Sequence, residues 1–326
     1  MRQPRQKVDP DQLEAVYHCF SRIVGRQYLL DTRAKEVFRK MLWEVAEFCG
    51  VEVLTYIILS NHFHIYILVP LRRELSDEEL LRRYAILHPH PTAHESRTLE
   101  RIREQMVHNG PAAEQFRLRM RKLMNDVSMF MKLLKQRFSI WYNNHHKWVG
   151  TLWTGRFGSG LDQSIPEVNR FVGAYIDLNS VRAGLIADPK DYRFSGYAEA
   201  VAGNPKARKG IQFLTGLQHW EAAAAEYRQT IWAMGSKSRE QQGRITEEQF
   251  QKVVKEGGKL PAEAFLRCRT RYFTDGMILG SAEFVQKHLG LGQAYLKRPR
   301  KVRLLPIASG GIQWAIPKRL RGPVIG

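Results

Sequence analysis

Hydrophobic positions recur along this chain with two different periods, and the points where the period changes outline its elements. Short runs rich in β-branched and aromatic residues predict strands at 14–24, 51–59, 62–69 and near 156–163. Val37, Phe38, Met41, Leu42 and Val45 keep the helical period and predict a helix over 32–48. A second helix is expected over 121–142, where Leu123, Val127, Phe130, Leu134, Phe138 and Trp141 fall on one side. The second and third strands are joined by a tight turn at Ser60-Asn61. The segment 73–120 breaks the rhythm. It is charged and helix-rich, carries the loop His88-Pro-His-Pro, and reads as an insertion. Strand, helix, strand, strand, helix, strand is the ferredoxin-like order. The expected fold class is therefore α+β, an antiparallel sheet with helices on one face.

After the fourth strand, Ser164 with Glu167 three residues on predicts a capping-box helix start, and Pro166 suits a first turn. Val168, Phe171, Val172, Tyr175 and Leu178 continue that helix, and Gly184 supplies a stop. Residues 1–200 are thus expected to form one domain. Residues 201–242 read as a helical connector that ends in the polar linker Gly235-Ser-Lys-Ser-Arg-Glu-Gln-Gln-Gly243, and 243–326 as a helical extension. Within it, 272–289 has the helix, glycine-containing turn, helix pattern of a helix-turn-helix unit, or equally of a helical cap. Lys297-Arg-Pro-Arg-Lys-Val-Arg303 is a basic run suited to phosphate contacts.

The third strand carries the first candidate chemistry. Alternate side chains of a strand share a face, so His62 and His64 point the same way while Phe63 turns to the other side. Two adjacent imidazoles are poor core material and make two thirds of a metal site, with room for a substrate oxygen. Among 11 histidines the spacing alone carries little weight. His88 and His90 repeat it, but in a Pro-rich stretch that excludes a central strand. Further on, Tyr175 and Asn179 are one helical turn apart and share a face. Taken alone, Tyr175 fits a core tyrosine with a satisfied hydroxyl as well as it fits a nucleophile.

Composition narrows the partner. Lys and Arg number 51 against 32 Asp and Glu, a formal charge of +19, which favours a polyanion and above all nucleic acid. Cys19, Cys49 and Cys268 are too widely spaced for a disulfide framework or a zinc knuckle. No signal-peptide pattern opens the sequence and no apolar run is long enough to span a bilayer. A cytoplasmic, reducing location without a membrane partner is expected.

Four segments, in order, resemble a known family. Tyr17-His-Cys-Phe-Ser-Arg-Ile-Val24 fits its opening strand, and Ser60-Asn-His-Phe-His-Ile65 resembles the His-hydrophobic-His motif of the HUH nucleases. Gly150-Thr-Leu-Trp-Thr-Gly-Arg-Phe157 resembles the family's segment before the tyrosine helix. Tyr175-Ile-Asp-Leu-Asn-Ser-Val-Arg-Ala-Gly-Leu185, followed by Asp191-Tyr-Arg-Phe-Ser-Gly-Tyr197, resembles the signature of the REP-associated tyrosine transposases. These are relatives of the single-strand insertion-sequence transposases. Two departures stand out: Ser180 replaces the usual proline, and the insertion after Val69 makes the motif spacing unusual.

The resemblance implies a ferredoxin-like HUH domain and a concrete chemistry. His62 and His64, with Asn179 as third ligand, would hold one Mg²⁺ or Mn²⁺ against a phosphate oxygen, and such a ligand set tolerates Mn²⁺ better. Tyr175 would attack the phosphorus, leaving a 5′-phosphotyrosine link and a free 3′-hydroxyl. The implied substrate is single-stranded or hairpin DNA. Its candidate contacts are Lys132, Lys135, Arg137, Arg156 and Arg182, with Lys297, Arg298 and Arg300 in the tail. Members of the family act as monomers or as homodimers that exchange tyrosine helices. Two other readings stay open on sequence: a non-catalytic hairpin-binding protein that keeps the fold, and a metal-dependent hydrolase with a structural Tyr175.

Overall fold

The computed structural model describes residues 6–235, 278–293, 302–306 and 312–317. Strand β1 (Ala15–Arg22) leads into helix α1 (Thr32–Cys49) and the hairpin of β2 (Glu52–Ile58) and β3 (His62–Val69). Helices α2 (Asp77–Leu87), α3 (Ala93–Val107) and α4 (Pro111–Leu123) make up the insertion, before α5 (Val127–His146) and β4 (Gly158–Asp162). The four strands lie in the order β2-β3-β1-β4, and each pair is antiparallel.

Local chemistry accounts for the boundaries. Asp31 caps α1 by accepting from the Ala34 amide at 2.7 Å, and Gly50 closes the helix in the left-handed region at φ 65°. Ala34, Phe38, Leu42 and Val45 form its buried stripe. The helix expected over 121–142 is two helices: Asn125 takes φ 49°, and Asp126 caps α5 through the Ser128 and Met129 amides. Apolar residues keep the helical period on both sides of that break, so the period alone does not reveal it.

The sheet is covered on both faces, not one as expected. Phe63 meets Phe38 of α1, and Phe38 meets Phe138 of α5, which puts α1 and α5 on the face to which Phe63, Ile65 and Ile67 point. The opposite face, bearing His64 and Tyr66, is covered by α6 (Pro166–Asp177). The reason lies in the strands: Ile58, Phe63, Ile65 and Ile67 on one side and Val16, Ile57, Tyr66 and Leu68 on the other are all buried, as in a sheet packed between two layers. The start of α6 also differs from expectation. Ile165, not Ser164, is the N-cap, and Pro166 sets the first turn without a capping box.

Beyond α6 come the single turn α7 (Asn179–Arg182), α8 (Gly196–Val201), α9 (Pro205–Thr215) and α10 (Trp220–Gly235). The last two, the expected helical connector, pack on the domain. Gly210 of α9 lies so close to β2 that a Cβ there would sit 2.2 Å from the Leu54 carbonyl oxygen. Buried Tyr227 of α10 bonds to Asp177 at the end of α6.

The carboxyl-terminal part also departs from the helical extension predicted. Strands β5 (Ile278–Ser281), β6 (Val302–Pro306) and β7 (Ile312–Pro317) accompany helix α11 (Ala282–Gln293), and the sheet continues past β4 as β5-β7-β6. Where the sequence places the turn of a helix-turn-helix unit, Ile278 and Leu279 pair in parallel with Leu161 and Asp162. A short apolar run is compatible with strand or helix until its partner is known. The basic candidates Lys297, Arg298 and Arg300 lie outside the described residues.

Candidate active site

The site begins with register. β1 and β3 pair with His18 opposite Tyr66, Phe20 opposite His64 and Arg22 opposite His62. Directly opposed residues share a face. His18, Phe20 and Arg22 therefore stand beside His62, His64 and Tyr66.

Helix α6 brings Tyr175 onto that face. Its ring centroid is 6.1 Å from those of both His18 and His64, edge-on to each. The helix is fastened on either side of the tyrosine. Before it, the Tyr66 hydroxyl donates to Asn169 Oδ1 at 3.1 Å. After it, Asp177 accepts from the hydroxyls of Tyr227 at 2.6 Å and Thr55 at 3.0 Å, and from the Tyr197 amide at 3.4 Å. Burial pushes the Asp177 carboxyl up to about 7 against those donors.

Both strand histidines are neutral at physiological pH. Burial pushes His62 down to about 4 and His64 well below the ordinary imidazole value, with the charge of Arg22 acting in the same direction. Their Nδ1 atoms are engaged. His62 Nδ1 lies 2.5 Å from Asn61 Oδ1, and His64 Nδ1 shares a hydrogen bond with His18 Nε2 at 2.9 Å. An amide oxygen only accepts, so His62 carries its proton on Nδ1 and keeps a lone pair on Nε2.

The pair has the spacing a shared ion needs. The ring centroids are 5.3 Å apart, against roughly 5 Å for two imidazoles on one ion with metal–nitrogen bonds of about 2.1 Å. Two neutral nitrogen donors thus fit a divalent cation. No group of three or more His, Cys, Asp and Glu side chains suited to a metal occurs among the described residues, so any third protein ligand is of another kind. Asn179, 8% exposed, donates through Nδ2 to the carbonyls of Tyr175 and Ile176, which leaves Oδ1 as the atom it can offer. Exposed Arg182 lays its guanidinium 4.8 Å from the Tyr175 ring centroid and donates to the Tyr175 carbonyl at 3.1 Å.

The structure therefore brings His62, His64 and Tyr175 together, with Arg182 over the Tyr175 ring, and places Asn179 one turn after the tyrosine against the carbonyls of its own helix. It does not bring the α5 cations to them, because α5 packs on the other face of the sheet. There Lys135 donates to Ser21 Oγ and the Gly155 carbonyl, both at 2.8 Å, and Arg137 donates to the Leu87 carbonyl at 2.9 Å. Lys132 and Arg156 are exposed. The sequence reading missed His18 and Arg22. The available signal was a histidine two residues before Phe20 and four before Arg22, on one side of an otherwise apolar strand.

The two remaining motifs build the frame. Trp153 bridges Ile23 and donates through Nε1 to Ser139 Oγ at 2.8 Å, and Tyr192 donates its hydroxyl to the Ile58 carbonyl at 2.8 Å. Ser195 bridges Ile57 and, with the Phe194 carbonyl accepting from the Ile58 amide, covers the outer edge of β2. A cavity of about 320 Å³ opens at the other end of β3, lined by Arg72, Arg117 and Arg121 among others. Asp11 and Asp77 answer those charges at 3.1 and 2.7 Å, so it is not an anion site.

No family model matches the chain, and no curated protein matches it. Among solved structures, the chain is similar to a REP-associated tyrosine transposase bound to a REP hairpin, at 15% identity and a TM-score of 0.40, over 64% of this chain and 90% of that one. A likeness of that size leaves function to be read from the site itself. No helix of the described residues is long and apolar enough to cross a membrane.

Proposed function

We propose that this protein is a single-strand DNA endonuclease and strand transferase on a ferredoxin-like HUH domain, cleaving at palindromic hairpin elements with Tyr175 as nucleophile. One observation supports the reading above all. Two neutral imidazoles of β3 and a tyrosine from a helix far along the chain meet on one face of the sheet, with Tyr175 and His64 ring centroids 6.1 Å apart. A core tyrosine has no need of such neighbours.

In this reading Tyr175 Oη attacks the scissile phosphorus and the bond to the 3′-oxygen breaks. The 5′-phosphate stays on the tyrosine, and the leaving 3′-oxygen takes up a proton while the phenol gives one up. The link conserves the phosphodiester energy, so a second 3′-hydroxyl reverses the step without ATP. His62 and His64 would hold Mg²⁺ or Mn²⁺ through Nε2, with Asn179 Oδ1 completing the protein ligands. When bound, the ion neutralises charge on the phosphate. Arg182 and Arg22 add fixed positive charge where an anionic backbone enters. Tyr175 is 1% exposed, with the Arg182 guanidinium 4.8 Å from its ring centroid.

The test is a 3′-labelled hairpin oligonucleotide incubated with the full chain and Mn²⁺. Wild type is expected to give a denaturant-resistant, protease-sensitive protein–DNA species. Tyr175→Phe should give none while binding the hairpin within a few-fold, since only a hydroxyl is lost. His62→Ala, His64→Ala or EDTA should stop the same reaction. An adduct on the Phe variant moves the nucleophile elsewhere. Cleaved product without an adduct makes the enzyme a hydrolase instead.

A further inference from the structure

We infer that His18 is a positioning residue: its hydrogen bond to His64 Nδ1 fixes the tautomer and ring angle that leave His64 Nε2 as the ligand atom. The inference rests on the proposed reading of His62 and His64 as a ligand pair. It comes from the partners of the two rings. His62 has Asn61 at its Nδ1, whereas His64 has no side chain of its own strand there. Its Nδ1 instead meets a ring from the neighbouring strand, His18 Nε2, at 2.9 Å.

Both members of that pair are buried, His18 at 1% and His64 at 4% exposure, so the bond is not exchanged with solvent. Two neutral imidazoles can share one hydrogen bond in two ways, since each ring has one N–H and one lone pair. If His64 donates from Nδ1, its Nε2 keeps a lone pair and both histidines of β3 present the same atom. If His18 donates from Nε2, the His64 proton moves to Nε2 and the ring cannot ligate there. The surroundings also hold the ring still. The His18 ring lies edge-to-edge with His64, nearly coplanar, with centroids 5.1 Å apart and 24° between planes, and it is flanked by Phe20 at 5.6 Å and by Tyr66 at 6.5 Å. A metal-binding imidazole usually donates its second ring N–H to a fixed acceptor, and that acceptor sets its tautomer and orientation. Here the acceptor is another imidazole.

The experiment uses the full chain labelled with ¹⁵N in its histidines. Long-range ¹H–¹⁵N spectra of the metal-free wild type are expected to report His64 as the Nδ1–H tautomer, and the Nε2–H form overturns the assignment. Titration with Mn²⁺ alone, followed by electron paramagnetic resonance, then compares variants. His18→Leu removes the acceptor and is expected to weaken Mn²⁺ binding by about 10–100-fold. His18→Gln carries an amide oxygen to the position of Nε2 and should restore affinity to within about threefold of wild type. Leu binding as tightly as wild type overturns the inference. Should the Leu variant not fold, a Gln variant more than about tenfold weaker does the same. If wild type itself retains no Mn²⁺, the ligand reading of His62 and His64 fails, while the wild-type tautomer still decides what His18 does to His64.

Discussion

Asp162 is a carboxyl in a place that suits its acid form. It is 6% exposed, its Oδ2 has no hydrogen-bond partner among the described residues, and burial pushes it up to about 7 although Tyr66 draws it back. In the unfolded chain it ionises near ~4. Between those values the folded state holds a proton that the unfolded state has lost, so stability falls as pH rises from about 4 to about 7 and then levels off. Asp162→Asn is neutral throughout and should remove about half of the slope that it shares with Asp177, gaining up to roughly 4 kcal/mol at pH 8 as an upper bound. Denaturant titrations at pH 5 and pH 8 check this, and equal slopes in both proteins would assign the effect to another group. Asp177 has the same sign, but its amide variant would disturb three hydrogen bonds and lose stability at both pH values. At this scale the sequence made His62 and His64 legible, because a period of two fixes which side chains share a face. His18 showed only as a histidine in an apolar strand, with nothing to name its partner. Its importance lies in a partner on another strand, and inter-strand register is a property of the folded sheet.

Helices seat on this sheet through glycine. Gly210 brings α9 onto the Leu54 carbonyl, and at Gly196 of α8 a Cβ would lie 2.8 Å from Thr55 Cα. Neither obstacle is a side chain that can swing away. Gly210→Ala is therefore expected to cost about 1–3 kcal/mol by overpacking, despite the better helix propensity of alanine. Equilibrium unfolding measures it; a neutral result would mean that α9 rides higher on β2. The hairpin and α1 were readable because their patterns are strong and their caps local. The C-terminal strands were not. Val302-Arg-Leu-Leu and Ile312-Gln-Trp-Ala-Ile are short apolar runs beside basic residues, and the strand that joins their hairpin to the rest of the sheet, β5, pairs with β4 more than a hundred residues earlier. The two-sided covering of the sheet was implicit in strands apolar on both faces, but which helix takes which face is decided by packing.

For the molecule as a whole, the charge of +19 makes a polyanion partner the natural expectation, while the proposed reaction needs a phosphate that a protein side chain can approach in line. A hairpin with a single-stranded 5′ flank is therefore expected to bind more tightly than the same sequence as perfect duplex. Its affinity should fall steeply with salt as counterions are released. Binding measured across a salt series on both substrates decides it, and equal affinity at moderate salt would describe an ordinary duplex binder. The join between β4 and β5 has a separate consequence. Leu161 and Asp162 take partners from residues beyond 277, and at the opposite border Phe194 and Ser195 guard β2. A strand border left open recruits other chains. Cut away after α10, the remaining residues would offer β4 as a template for their own copies. The tail therefore serves as the sheet's selvedge, a finished margin that keeps a sticky, highly charged molecule from polymerising on itself.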